Sequence, residues 1–368
     1  MKLRIKREDL LAPLQRVIGA VEKRQTLPAL ANVLLVAGAD NSLAITATDL
    51  ELELLAETEA SVEAAGEITL PARKLLDICR TLDEGTEIAI ECGDNRATVR
   101  GAKSRFSLAT LAAAEFPSLD DIQGGVAFQI SSAALKHALE KTAFSMAQQD
   151  VRYYLNGLLL EVHPDVARLV ATDGHRLAMH EVREKLAVEE VMQVIVPRKG
   201  VHELQRLLDD NDNPVDVQLT TNHVRVKLPG LRFTSKLIDG RFPDYQRVMP
   251  QGGDKYLLAD REGLRHALQR ASILSNEKYK GIRMVMGGDE LKIQTHNPDQ
   301  EEAEEEFDVE YRGDSLEIGF NVTYLLDILA TIEGERVQLT FRDTNSSCLV
   351  EDAQDGALSQ YVVMPMRL

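Results

Sequence analysis

The sequence predicts an α+β protein made of three tandem copies of one module, each with two helices laid on antiparallel sheet, because three landmarks recur along it in the same order. The first is LPARKLLDICRTL at 70–82, VPRKGVHELQRLL at 196–208 and GFNVTYLLDILAT at 319–331, with Pro71, Pro197 and Phe320 equivalent at spacings of 126 and 123. Each is followed by a turn and a short alternating run: EIAI from Glu87, VDVQL from Val215 and RVQLTF from Arg336. The second is EDLLAPLQRV from Glu8, AALKHALEKT from Ala133 and EGLRHALQRA from Glu262; the last two share Leu-basic-His-Ala-Leu-x-basic at 129 residues' separation. The third ends in Thr48-Asp49, Thr172-Asp173 and Thr295-His296, with the threonines 124 and 123 apart. Modules of 1–124, 125–252 and 253–368 follow.

Within each module the apolar period changes in a fixed way. Leu10, Leu14 and Val17 recur at helical spacing, as do Leu135 and Leu139, then Leu264 and Leu268. Pro13 lies inside the first pattern and should kink or delay that helix. A second helix follows from Leu75, Leu76, Ile78 and Leu82 in module one, and from Val201, Leu204, Leu207 and Leu208 in module two. Elsewhere alternation dominates: Leu50, Leu52 and Leu54 are separated by Glu51 and Glu53, and Val224, Val226 and Leu228 by Arg225 and Lys227. These runs predict strands with one buried face.

Composition bounds the function. A chain of 368 residues with 44% apolar content supports two or three packed domains. Cys79, Cys92 and Cys348 are odd in number and widely spaced, which suits neither a disulfide framework nor zinc and points to a reducing cytoplasm. The opening MKLRIKREDLLAPLQRVIGAVEKR lacks a signal-peptide apolar core, and no window approaches a membrane span. No metal or cofactor is expected, since the acidic run Glu301, Glu302, Glu304, Glu305 and Glu306 reads as a solvated strand whose side chains alternate between faces.

A net charge of −17 argues against nucleic acid if the charge is evenly mixed, but it is partitioned. The segments 7–24, 70–82, 131–147, 197–208, 259–274 and 320–332 hold 15 Lys+Arg and 9 Asp+Glu, so +6 sits on the helices and −23 elsewhere. Arg198, His202 and Arg206 form one stripe; Arg261 with Arg265, and His266 with Arg270, repeat the spacing, and Arg73, Lys74 and Arg80 supply module one. The second helix of module three has no basic residue. Any one stripe reads as a solvated face; recurrence points to a shared surface facing a polyanion through phosphate contacts. Six helices about 10 Å wide would close a circle roughly 19 Å across, too narrow for a duplex, whereas twelve give roughly 38 Å and a bore near 28 Å. That favours two chains joined head to tail.

Several stretches resemble the bacterial DNA polymerase III beta subunits, the sliding clamps: QDVRYYLNG from Gln149, ATDGHRLA from Ala171, VPRKG from Val196, FTSKLIDGRFPDY from Phe233, LSNEK from Leu274 and the terminal YVVMPMRL. The resemblance covers the full length. It implies the DNA clamp fold in a head-to-tail dimeric ring, a cytoplasmic processivity factor without catalysis, and as partners double-stranded and primed DNA, the polymerase III core, the clamp loader and other clamp-binding-motif proteins. It also implies DNA contacts at Arg24, Arg73, Gln149, Tyr153 and Tyr154, with Arg198, Lys199 and Arg206 on the same surface. Tyr153 and Tyr154 would stack on bases of a single strand. A partner-peptide cleft is implied at Leu155, Thr172, Gly174, His175, Arg176, Leu177, Pro243, Arg247, Val248, Asn321, Tyr324, Val362, Val363, Met364, Pro365 and Met366, where flexible Met suits varied peptides. Ring closure is implied at Phe106 and Leu108 against Ile273 and Leu274. By residue type alone, the tyrosines read equally as core or interface residues, the closure residues as ordinary core, and VVMPM as a buried edge strand.

Two rival classes remain. Asp173, His175 and Arg176 resemble a catalytic cluster, yet no nucleophile elbow, phosphate loop, HExxH or dinucleotide fingerprint accompanies them, and Asp49 in module one has no matching His. The other rival is a repeat scaffold that binds peptides but not DNA, against which the basic stripes argue.

Overall fold

A computed structural model describes residues 1–22, 27–93, 95–119 and 122–367. Among the described residues six α-helices lie at the expected places: α1 Arg7–Val17, α2 Ala72–Thr81, α3 Ser132–Thr142, α4 Arg198–Leu207, α5 Arg261–Ser272 and α6 Val322–Thr331. The leucines that recur at helical spacing are buried, as an amphipathic stripe requires, except Leu82, which is half-buried at the C-cap of α2. In α1, Pro13 neither delays nor ends the helix: it is buried in the seventh of 11 positions, and the carbonyl deprived of its partner belongs to exposed Asp9.

The strands of the described residues form four antiparallel sheets, two in each of two compact units. One unit comprises Met1–Ser132 and His202–Leu237. Its smaller sheet runs Ser61–Ala64, Lys2–Lys6, Glu87–Cys92, Arg96–Gly101, Ser104–Ala109. Its larger one runs Val126–Ser131, Pro214–Leu219, His223–Leu228, Leu231–Lys236, Leu52–Glu59, Ser42–Thr48, Asn32–Ala37, Gly66–Pro71. The other unit comprises Ala133–Val201 and Ile238–Leu368. It holds a nine-stranded sheet, Met192–Pro197, Gly157–His163, Val166–Thr172, Arg176–Val182, Ser359–Val363, Cys348–Asp352, Arg336–Phe341, Lys255–Asp260, Glu310–Arg312. A four-stranded sheet completes it: Glu302–Asp308, Glu290–His296, Gly281–Gly287, Leu316–Asn321.

Middle-module strands therefore continue the sheets of both neighbouring modules. Phe233 pairs with Leu54 in the first unit, and Leu177 with Val362 in the second. The terminal strand Ser359–Val363 is consequently interior, bonded on both sides, and not the edge strand that its sequence suggests. Two side chains of module one also depart from the expected alternation. Leu50 lies outside the strand at φ +80°, and Glu53 is buried, where it accepts the Leu119 N–H at 3.1 Å and faces Arg232 at 3.7 Å.

In the second unit α5 buries Leu264, Ala267, Leu268 and Ala271, and α6 buries Val322, Leu325, Ile328 and Leu329, in one core with Met284, Ile293 and Leu339. Each of the larger of these side chains, Leu, Ile, Val and Met, contributes roughly 1.5–3 kcal/mol by leaving water. Asp260 caps α5 by accepting the Gly263 N–H at 2.6 Å, and Asn321 caps α6 by accepting that of Thr323 at 2.9 Å.

Candidate partner cleft and nucleic-acid surface

The Thr-Asp landmark is a turn, built twice in the same way. Thr172 Oγ1 accepts the Gly174 N–H at 3.1 Å, and Asp173 Oδ1 accepts those of His175 at 2.9 Å and Arg176 at 3.0 Å. In module one Thr48 accepts the Leu50 N–H at 3.1 Å, while Asp49 accepts those of Glu51 at 2.9 Å and Leu52 at 2.7 Å. The third residue is left-handed in both, Gly174 at φ +91° and Leu50 at φ +80°. Asp173 thus acts as a turn former and an anchor for Arg176, which accounts for the aspartate without any reaction.

Arg176 is fully engaged and only 12% exposed. Its Nε donates to Asp173 Oδ2 at 3.1 Å, Nη1 to Asp327 of α6 at 2.5 Å, and Nη2 to the Phe144 carbonyl at 2.9 Å. The guanidinium carbon sits 5.3 Å from the Phe144 ring centre and 4.7 Å from that of Tyr324. His175 is exposed, its ring nearly parallel to that of Tyr324 with centroids 6.5 Å apart. Its carbonyl accepts the Met364 N–H at 2.9 Å, which brings the C-terminal segment to this wall. Neither Phe144 nor Asp327 is singled out by the sequence, because their roles arise only when distant segments meet. Met364, Pro365, Met366, Tyr324, Asn321, Gly174 and His175 reach or approach the surface; Leu155, Thr172, Leu177, Val362 and Val363 are buried beneath it.

The segment after Ile238 supplies Pro243, Arg247 and Val248, and it is held by Tyr245. The Tyr245 hydroxyl donates to buried Glu161 at 3.2 Å, a carboxylate that also meets His163 at 2.7 Å, Arg168 at 3.0 Å and the Gln193 amide. Burial pushes the Glu161 carboxyl up, but these hydrogen bonds outweigh it and hold the group below its usual range. Phe242 and Tyr245 pack with Leu159, Leu177 and Val362, and half-buried Tyr154 packs against the same cluster. Arg247 is exposed and paired with Asp244 at 2.9 Å.

Gln149, at φ +54°, and Tyr153, 57% exposed, project from the loop before Leu155. The Tyr153 and Tyr154 rings meet edge-on at 5.8 Å, so of the pair Tyr153 offers the open face. Asp150 braces this loop by accepting from Arg152 Nε at 3.0 Å and Nη2 at 2.8 Å. Arg24 lies outside the described residues. Arg73 is exposed and bonds the Val21 carbonyl at 3.3 Å.

Several basic residues of the helical stripes are already committed to partners. Arg206 meets Glu203 at 2.7 Å and the Arg16 carbonyl at 2.7 Å, and Arg198 donates to the Met146 carbonyl at 3.0 Å. On α5, Arg265 pairs with Glu262 at 2.6 Å and Arg270 with Glu305 at 2.6 Å. Lys199 also has an interaction partner. At the closure positions Ile273 is 76% exposed, Phe106 and Leu274 are half-buried, and Leu108 is buried. Among the described residues no cluster of three or more His, Cys, Asp or Glu is placed to hold a metal ion, and no helix is long and apolar enough to cross a membrane.

Family models of the DNA polymerase III beta subunit match the chain in three consecutive parts: N-terminal domain over 1–120, central domain over 129–244 and C-terminal domain over 246–367. The chain is 52% identical to the beta sliding clamp of Pseudomonas aeruginosa and 50% identical to that of Escherichia coli K12, covering 100% of both partners in each case. A crystal structure of DNA polymerase III subunit beta from Pseudomonas aeruginosa matches with a TM-score of 0.97, also over 100% of both chains. One from the same organism bound to griselimycin gives 0.96 at 52% identity over 100% of both, and a Caulobacter crescentus clamp 0.95 at 36% over 100% of this chain and 99% of that one. With a fold, a length and a sequence shared from end to end, the chain belongs to the beta sliding clamp family, the beta subunits of DNA polymerase III.

Proposed function

We propose that this chain, built from modules 1–124, 125–252 and 253–368, works in the cytoplasm as a head-to-tail dimer that encircles duplex DNA and tethers the replicative polymerase and other factors. It is a processivity factor and carries out no reaction of its own. The observation that carries this reading is the full-length match to beta sliding clamps.

Two strand edges support the closure. Ser104–Ala109 is the last strand of its sheet, with exposed Arg105 and neighbouring Lys103; Glu302–Asp308 is the last strand of another, with exposed Glu302, Glu304 and Glu306. Unpaired backbone on a strand edge is a template for a second chain, and opposite charges select the partner edge. Exposed Ile273, with Leu274 beside it, would cover Phe106 and Leu108 of the other copy. Replacing Ile273 by Ala and Leu274 by Lys should give monomers in sedimentation velocity with unchanged circular dichroism. A dimer that persists in this variant would overturn the closure.

On the DNA side, Arg73, Gln149 and Tyr153 are the exposed candidates, with Arg24, Tyr154, Arg198, Lys199 and Arg206 completing the set. Partner peptides would lie along His175, Tyr324, Pro243, Arg247, Val248 and Met364–Met366. The Arg176 assembly holds the wall that His175 and Tyr324 form.

A further inference from the structure

Each module pairs the residue just before its second helix with the start of a neighbouring strand: Asn32 with Pro71, Gly157 with Pro197 and Gly281 with Asn321. Four residues along that strand stand Val36, Glu161 and Val285, so the same place in the sheet holds a half-buried valine twice and a buried glutamate once. The next strand differs in step, with Arg168 opposite Glu161 where module one has Ala44 opposite Val36. Two copies of the module fold with an apolar residue at this place. The fold therefore does not require the carboxylate, and burying one is unfavourable unless its hydrogen bonds compensate.

The linkers after modules one and two differ in the same way. Phe116-Pro117 and Phe242-Pro243 are 126 residues apart, as Pro71 and Pro197 are, and both phenylalanines are buried. Three positions after the phenylalanine, the first linker has Leu119 and the second has Tyr245. Valine and leucine of the first repeat are thus glutamate and tyrosine in the second, where the two side chains bond at 3.2 Å. Burial first, and the Glu161 charge next, push the Tyr245 hydroxyl above its usual range, so at neutral pH it remains a donor to an ionised carboxylate.

This second linker is the one that borders the proposed cleft. Of residues 241–247 only Phe242 and Tyr245 are buried, while Pro243 and Arg247 are exposed and Val248 is half-buried. The turn closes on itself: the Arg247 N–H donates to the Asp244 carbonyl at 3.3 Å, and those of Val248 and Met249 to the Tyr245 carbonyl at 3.0 and 3.2 Å. Its tie to the sheet is made by side chains, Phe242 and Tyr245 in the apolar cluster with Met249 packed against it, and the Tyr245 hydroxyl on Glu161. Apolar packing is non-directional, whereas a hydrogen bond to one buried oxygen fixes where the turn sits.

We infer that Glu161 and Tyr245 are positioning residues for partner binding, their hydrogen bond holding the linker so that Pro243, Arg247 and Val248 stand ready to receive a peptide. The inference rests on the cleft reading above. Its test uses the full-length protein with Tyr245→Phe, which deletes the hydroxyl and keeps the ring, and Tyr245→Leu, the residue of the first linker. The probe is a fluorescent peptide carrying the clamp-binding segment of a polymerase III core subunit. Without the tie the linker holds the receiving conformation only part of the time. Tyr245→Phe should therefore weaken the peptide about two- to ten-fold through slower apparent association, with dissociation unchanged, and Tyr245→Leu should lose at least as much. Amide exchange over 242–249 should accelerate in both variants, while exchange in α5 and α6 and the sedimentation coefficient stay as in the wild type. Wild-type association by Tyr245→Phe overturns the inference. So does a loss carried by faster dissociation with exchange over 242–249 unchanged, which would put Tyr245 against the peptide instead of behind the linker. If the wild type does not bind the peptide, the cleft reading falls and takes this one with it.

Discussion

His180 shows how a single residue is set by what packs on it. It is buried under α3, its Nδ1 meets Ser359 at 2.9 Å, and His137 crosses its ring edge-on at 5.3 Å. Burial first, then the charges of His137 and Lys141, bring its pKa down to about 4, with Glu181 and Glu333 opposing weakly. A histidine depressed in the folded state resists protonation there, whereas the unfolded chain takes the proton near 6.5. The stability it confers is thus complete above about pH 6.5 and is lost as pH falls from there toward 4, roughly 2 kcal/mol being gone by pH 5. Urea midpoints measured between pH 7 and 5 should fall less steeply for His180→Gln than for the wild type; equal slopes would refute this. None of this is visible in the sequence, where His180 is one of eight histidines, because the burial comes from a helix 40 residues away. Asp173 makes the same point from the other side. Its TDGHR context resembles a reaction centre, but its oxygens are taken up by the turn and by Arg176.

Elements were legible where their signal is local. Helical faces follow from leucine spacing, and the repeated Thr-Asp segments became the same turn in two modules. Pairing between distant segments leaves no such trace: nothing around Ser359–Val363 says that it lies between Arg176–Val182 and Cys348–Asp352. For the same reason the buried Glu53 and the Arg176–Asp327 bridge could not be read in advance, and the stripe on α5 looked freer than Glu262 and Glu305 leave it. The repeated turn yields its own prediction. Leu50 occupies the left-handed position that glycine fills in module two, at a cost of about 1–2 kcal/mol for a side chain with a Cβ. Because Leu50 is substantially exposed, Leu50→Gly should raise the urea midpoint by the equivalent of about 0.5–1 kcal/mol. A lower midpoint would mean that its packing outweighs the strain.

At the scale of the whole molecule, a net charge of −17 and a DNA partner are compatible because charge is sorted along the chain, net positive on the helical segments and negative elsewhere. The sorting is subtler than a count over helices suggests, since many arginines already have acidic or carbonyl partners. What remains on the helices is a small positive excess, suited to holding a duplex without gripping one sequence. Such an excess cannot by itself retain a protein on DNA at physiological salt, so retention must come from enclosure. Loading the dimer onto a nicked circular plasmid and then cutting the plasmid once tests this directly. Rapid loss from the linear molecule, with the uncut circle retaining the protein through the same salt wash, is the expected result. Equal retention on circle and line would show that contacts and not topology hold the protein, and would contradict the account.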